Sequence, residues 1–256
     1  LHESPGGRGG DLSALVEQSV IGADAAVVME GATYDCTIAQ LGSATFKITI
    51  EREGEPSHQL YTKEGTPHPI SIVSEIVTVL DERNNELKKE IIEDIGHASY
   101  FIGSIKSGEF YNQMPKRAFL EGVRRYGPSQ SFSEIEGEMK HLLGEIAKQN
   151  QVQIHLELEK VRDGYRVNQD TEIVKVLSKA VRKVRGIDPP LVGKKLVTDA
   201  GIFANELKIP TVCSGPNQER AHSEIEYVEV NELAQAAKVY LEIIREFVGL
   251  KREQYL

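Results

Sequence analysis

The sequence predicts an α/β domain that carries an inserted α+β domain, and three observations predict it. Residues 43–160 read as strand, helix, strand, strand, helix, strand, the βαββαβ ferredoxin-like plan in which a four-stranded antiparallel sheet carries two helices on one face. The flanking segments, 1–42 and 161–256, alternate short apolar runs with amphipathic helices, as an α/β layer does. The chain of 256 residues, 40% apolar and 27% charged, is long enough for two cores and has globular composition.

Each element follows from local pattern. A glycine-rich turn, Gly6-Gly7-Arg8-Gly9-Gly10, leads into a helix expected over 11–19, and the apolar run 23–29 reads as a buried parallel strand. Phe46, Ile48 and Ile50 alternate with polar residues, the period of a half-buried strand. Ile70, Val73, Ile76, Val77 and Leu80 take helical spacing behind Pro67-His68-Pro69, where missing N–H groups do no harm. Strands are expected at 98–106 and 117–125. Ile135, Met139, Leu142, Leu143 and Ile146 share a helical face after Ser131 or Ser133, either of which can cap it. Val152, Ile154, Leu156 and Leu158 alternate again. Beyond them come a helix through Ile173, Leu177, Ala180 and Val184, a short helix over 199–206, and a strand at 209–213. A last helix places Leu233, Ala236, Ala237, Tyr240, Leu241, Ile244 and Phe247 on one face.

Composition excludes several classes of function. With 30 Lys+Arg against 39 Asp+Glu the net charge is −9, so no basic footprint for nucleic acid or an anionic membrane is expected. No run is long and apolar enough for a membrane span. Two cysteines, Cys36 and Cys213, make no disulfide framework and read as buried thiols of a reducing cytoplasm.

The candidate chemistry sits at strand ends and loops. His222 lies in Ser214-Gly215-Pro216-Asn217…Ala221-His222-Ser223, just after the strand at 209–213, and Glu30 follows the run Ala25–Met29. Both positions are strand ends, where ligands collect in α/β sheets. Glu3 precedes the glycine-rich turn. A histidine and carboxylates converging on one sheet edge suit Zn²⁺, with one carboxylate left as base. In the inserted domain His58 stands in a loop, Asn112 begins Asn112-Gln113-Met114-Pro115, and Arg124 lies in Gly122-Val123-Arg124-Arg125. An Arg fork with an Asn beside it suits a carboxylate. Taken singly, each of these residues also has an ordinary structural reading.

Together the motifs carry more. Glu-x-x-Gly-Gly-Arg-Gly, Ala-Asp-x-x-x-x-x-Glu, Gly-x-x-x-His, Asn-x-x-Pro, Gly-x-x-Arg, Thr-Asp, and Ile-Pro-Thr-x-x-x-Gly-Pro…Ala-His-Ser follow one another along the chain. This order resembles the zinc aminoacylase and exopeptidase family of acetylornithine deacetylase, succinyl-diaminopimelate desuccinylase and carboxypeptidase G. The likeness covers essentially the whole chain and is most specific over 209–233. It implies an α/β catalytic domain with a lid/dimerisation domain, a homodimer formed through that lid, and a two-metal site of zinc, with cobalt or manganese able to share such ligands. It implies Glu30 and His222 as metal ligands and Glu3 as general base. His58 would stabilise the oxyanion in a partner subunit's site. Asn112, Arg124 and Gly215 would bind substrate, an N-acyl amino acid or small peptide.

The sequence also departs from the family pattern. Ser4 stands where the family has a second Glu, and a neutral hydroxyl is a poor Zn²⁺ ligand. None of the seven histidines is followed two residues later by Asp, so the upstream His-x-Asp metal motif is absent. Together with the opening Leu1-His2-Glu3, this leads us to expect an incomplete catalytic domain, inactive by itself. The alternative expectation is a non-catalytic family member serving as a small-molecule-binding or dimeric scaffold.

Overall fold

The computed structural model describes residues 10–32, 34–221 and 223–254, excepting the side chains of 11 and 250–254. It divides into two compact units. Of the described residues, the first holds those within 10–41, 93–95 and 164–254; the second holds 42–92 and 96–163.

The first unit is a mixed five-stranded sheet with helices. Strands β1 (Ala26–Val28), β2 (Cys36–Gln40), β9 (Tyr165–Arg166), β10 (Leu191–Lys194) and β11 (Thr211–Cys213) belong to it, with α1 (Gly10–Glu17), α4 (Glu172–Arg185), α5 (Ala200–Asn205) and α6 (Val230–Gln254). The spatial order is β1-β11-β2-β10, with β9 paired to β2. β1 runs parallel to β11 and β10 parallel to β2. β11 and β9 meet β2 antiparallel. The sequence pattern showed neither β2 nor β10 as a strand. All five residues of β2 are buried, so no alternation marks it, and Thr37 and Gln40 interrupt its apolar run.

Helix α4 buries Ile173, Val174, Val176, Leu177, Ala180 and Val181 in one stripe. It shares a core with Cys36, Ile38, Val212, Val239 and Ile243. On α6 the buried seam is Ala236, Val239 and Ile243, while Leu233, Leu241 and Ile244 are exposed. The face expected from the sequence is therefore shifted. α6 is apolar around more than half its circumference, so periodicity alone does not choose the stripe that packs.

The second unit contains β3 (Gly42–Glu51), β4 (Ser57–His58), α2 (Pro69–Leu87), β5 (Ser99–Ser107), β6 (Gln113–Met114), β7 (Arg117–Tyr126), α3 (Phe132–Asn150) and β8 (Gln153–Arg162). Its main sheet has the order β5-β7-β3-β8, antiparallel throughout. Ala44, Phe46, Ile48 and Ile50 of β3 meet Ile72, Ile76 and Leu80 of α2 and Ile135, Met139 and Leu143 of α3 in one core. Both helices are capped at their N-termini by side chains, the first by a histidine the sequence pattern did not single out. His68 accepts from the Ile70 N–H ahead of α2. Ser131 and Glu134 form a reciprocal capping box on α3. Gly122 is required where it stands: a Cβ there would lie 2.1 Å from the Phe101 carbonyl oxygen and 2.5 Å from the Phe46 ring. A two-stranded ladder, β4 with β6, stands apart from the main sheet. No described helix is long and apolar enough to cross a membrane.

A charged cluster ties α2 and α3 to the sheet. Arg83 Nε donates to Glu138 Oε1 at 2.8 Å, and Arg124 Nη2 donates to Glu138 Oε2 at 3.3 Å. The Arg124 guanidinium lies 4.4 Å over the Tyr100 ring. Burial pushes the Glu138 pKa up, but the Arg83 hydrogen bond and the charges of Arg124 and Arg83 outweigh it and hold the group below its ordinary 4.5. A carboxylate depressed in the fold stabilises it above the unfolded value and ceases to do so as the pH falls. Glu138→Gln should therefore cost about 2 kcal/mol near neutrality. The gap between the two proteins in urea denaturation should close as the pH falls below 4.5. A gap that persists unchanged into acid would contradict this assignment.

Candidate functional site

In the first unit the site is built at the outgoing end of β1. Ser214 N–H donates to the Val28 carbonyl at 3.0 Å, carrying the β1–β11 pairing one step past Cys213. Gly215 then rests on the Met29–Glu30 peptide. A Cβ at Gly215 would lie 2.7 Å from both the carbonyl carbon and the oxygen of Met29, and 2.9 Å from Glu30 N. The backbone of this loop and that of Glu30 can approach only because residue 215 has no side chain. Gly31 takes φ +100°, and its N–H donates to Gln218 Oε1 at 3.1 Å.

A cavity of about 180 Å³ opens there, lined by Glu30, Thr37, Lys194, Thr198, Cys213 and Gln218 among others. Gly215 shapes the loop, and its neighbours Asn217, Gln218 and Glu219 reach the cavity. Sequence reasoning missed Lys194 and Asp35. Lys194 Nζ lies 2.8 Å from Asp35 Oδ2, whose side chain is only 6% exposed. Thr198, noted in the sequence only within Thr-Asp, donates to Gln40 Oε1 at 2.8 Å. It also stands 3.5 Å from Cys213 Sγ.

Burial disfavours the thiolate of both cysteines. Burial, then the charges of Asp35 and Cys213, push Cys36 up to about 12. Burial pushes Cys213 up despite hydrogen bonds from Thr198 and Tyr165. Both are free and buried.

Of the metal-site residues assigned from the sequence, Glu30 alone is described; Glu3 and His222 lie outside the described residues. Among the described residues no three His, Cys, Asp or Glu side chains come together as a metal site. Glu30 supplies one carboxylate of the donor type such an ion takes, and the partners assigned to it lie outside the described residues.

In the second unit the small ladder brings together residues far apart in sequence. Ser57 pairs with Met114 and His58 with Gln113, and Gln59 N–H donates to the Asn112 carbonyl at 2.9 Å. Asn112 Nδ2 lies 3.2 Å from His58 Nε2. Leu60 N–H donates to His58 Nδ1 at 3.2 Å. An accepting Nδ1 leaves the proton of the neutral ring on Nε2. Asn112 accepts that proton when its amide oxygen, rather than its nitrogen, faces the ring. The ring of Tyr61 packs 5.6 Å from that of His58.

Arg124, read from the sequence as substrate-binding, does not join this pair in the structure. Its side chain is 0% exposed and paired with Glu138, on the sheet face that the helices cover. Its guanidinium also donates to the Arg125 carbonyl. The next residue has the opposite orientation. Arg125 is registered with Ser43 and Ser99, on the face away from the helices. Its Nη1 is buried without a hydrogen-bond partner, and burial lowers its pKa. The signal was present in the sequence. Ala118, Leu120, Arg124 and Tyr126 share one parity, and Ala118 and Leu120 are plainly core residues.

The profile of peptidase family M20/M25/M40 matches residues 5–246. The chain belongs to that family. Over 223 residues it is 25% identical to a LysW-lysine/LysW-ornithine hydrolase of Sulfurisphaera tokodaii, covering 87% of this chain and 61% of that protein. It is 28% identical over 132 residues to an uncharacterized metallohydrolase of Methanococcus maripaludis, 48% of this chain and 32% of that protein. The chain thus spans about three-fifths and about a third of the length of these curated relatives. Among solved structures, aminopeptidase PepT of Bacillus cereus superposes with a TM-score of 0.75 at 21% identity, covering 93% of this chain and 62% of that one. A metallo-carboxypeptidase of the M20 family from Sulfolobus solfataricus gives 0.71 at 16% identity, covering 91% and 66%. At these identities the solved structures establish the M20 fold.

The two adjacent arginines should behave oppositely. Arg124→Met leaves Glu138 without its sheet-side partner and should lower stability by about 2 kcal/mol. Arg125→Met removes a desolvated cation without breaking a hydrogen bond of its buried Nη1, and should change stability by no more than about 0.5 kcal/mol. Urea denaturation of both variants checks this, and the reverse order would refute the facing assigned to each residue.

Proposed function

We propose that this chain is part of a metal-dependent amidohydrolase or peptidase that cleaves the amide bond of N-acyl amino acids or small peptides. Membership of the M20 family and its hydrolase relatives support hydrolysis and imply a metal cofactor, which we propose is zinc. The observation that carries the reading is the His58–Asn112 pair, joined at 3.2 Å. A neutral imidazole held at Nδ1 by a backbone N–H keeps its Nε2–H in a fixed direction, where Asn112 accepts it until an oxyanion takes that place. A donor already in place is what the oxyanion of a tetrahedral intermediate needs, since no reorganisation is then required as charge develops.

The remaining roles follow. Asn112 adds a second hydrogen-bonding group beside Nε2. Arg125, in place of Arg124, binds the substrate carboxylate, supported by its unpartnered Nη1. Gly215 sets the approach of the substrate loop to Glu30. Glu30 and His222 are proposed as metal ligands and Glu3 as the base that moves the proton to the leaving amine.

A homodimer through the second unit is part of the proposal. β5 lies at an edge of its sheet, and Phe101 and Ile105 on it are exposed, as is Ile70 on α2. A free strand edge beside apolar side chains suits pairing with a second copy. Ile105→Lys should then move the protein from dimer to monomer on gel filtration. A wild-type monomer would overturn this part of the reading.

The catalytic test is hydrolysis of N-acetyl amino acids and of di- and tripeptides, with Zn²⁺ or Co²⁺ supplied, by the protein as encoded in full. His58→Ala should lower kcat by about 10²- to 10³-fold. Arg125→Met should chiefly raise KM for substrates with a free carboxylate. Full turnover in His58→Ala would remove the proposed oxyanion role.

A further inference from the structure

Arg52 follows the last residue of β3 and is only 4% exposed. Its guanidinium makes four hydrogen bonds to main-chain carbonyls. Nε donates to Pro115 at 2.8 Å and Nη1 to Glu53 at 2.7 Å. Nη2 donates to Glu55 at 2.9 Å and to Met114 at 3.4 Å. Its own backbone N–H donates to the Lys116 carbonyl at 3.1 Å. The strand leaving β3 and the strand entering β7 are thus riveted together through one side chain.

The rivet sits at the base of the small ladder. Glu55 is three residues before His58, and Met114 is two residues after Asn112. The ladder has only two registered pairs, too few to stand alone in water. Gly54 takes φ +79°, and a Cβ there would lie 3.4 Å from Arg52 Nη1, so the turn wraps closely around the guanidinium. Taking a cation out of water onto neutral carbonyls is costly. A planar fork can meet four carbonyls in fixed directions, whereas the three donors of an ammonium at one point cannot.

We propose that Arg52 is a positioning residue that holds His58 and Asn112 at their mutual geometry. The inference rests on the oxyanion role proposed for that pair, but its geometric part can be measured independently. Arg52 clamps the two backbone segments. The clamp fixes the bond from Gln59 N–H to the Asn112 carbonyl, and with it the His58 ring, whose Nδ1 accepts from Leu60 N–H.

The experiment is amide hydrogen exchange by NMR on wild type and Arg52→Lys, with kinetics on the protein as encoded in full. In the folded variant the Gln59 and Leu60 amides should exchange on the order of tenfold or more faster, while the central β3 amide of Ile48 stays within about twofold. In the kinetics kcat should fall at least about tenfold with KM little changed. Unchanged exchange at Gln59 and Leu60 overturns the clamp. Faster exchange with unchanged kcat overturns the positioning role. Should Arg52→Lys not fold, wild type decides: the Arg52 Nε–H and the Gln59 amide should share one opening equilibrium. An Nε–H that exchanges like that of a solvated arginine overturns the proposal. His58→Ala with full turnover and an intact clamp removes the oxyanion reading alone.

Discussion

A guanidinium removed from water has to be met by oxygen on its N–H groups, and the second unit is organised around how it meets that demand. Arg124 is answered by Glu138, which Arg83 also holds, so that α2, α3 and β7 share one ionic knot. Arg52 is answered by main-chain carbonyls, which locks two loops rather than two helices. Arg125 has a buried Nη1 that no described group answers. The first two arrangements are internal and stabilise structure. The third leaves one buried N–H group unmatched, which is why the proposed function gives Arg125 the substrate carboxylate.

The first unit meets a different constraint, close approach of main chain. The end of β11 and the end of β1 run past each other with no room for a side chain at residue 215. That contact sets Glu30 at the rim of a cavity in which the lining side chains of Lys194 and Thr198 are paired to residues behind them. Asp35 is held by Lys194, and Thr198 by Gln40. Burial raises the pKa of the Cys213 thiol beside them. Lys194 and Thr198 are therefore engaged within the protein.

Much of the secondary structure was legible because its patterns are strong. The helix read from Ile70 to Leu80 is part of α2, and the cap read at Ser131 or Ser133 is Ser131. Strands with one covered face, such as β3 and β7, announce themselves by alternation. β2, buried on both faces, and the short β10 carry no such period and were not seen. On α6 too many apolar residues were available, so the packed stripe went to Val239 and Ile243 and left Leu233 and Ile244 exposed. Arg124 and Arg125 show the same limit at a single step. A motif names a neighbourhood, while the pleat decides which of two adjacent side chains faces the helices.

By itself the sequence determined the residue types available, the order of elements in the second unit, and the family likeness that runs from the glycine-rich turn to the last helix. Those are local or one-dimensional properties, set by period, capping and spacing. Tertiary structure decided that His58 and Asn112, 54 residues apart, stand at 3.2 Å, that Arg52 clamps them, and that Arg124 pairs with Glu138 under the helices while Arg125 takes the other face. These outcomes depend on register and burial. Both arise only when distant strands pair, because a one-residue shift in that pairing would turn each of these side chains to the opposite face.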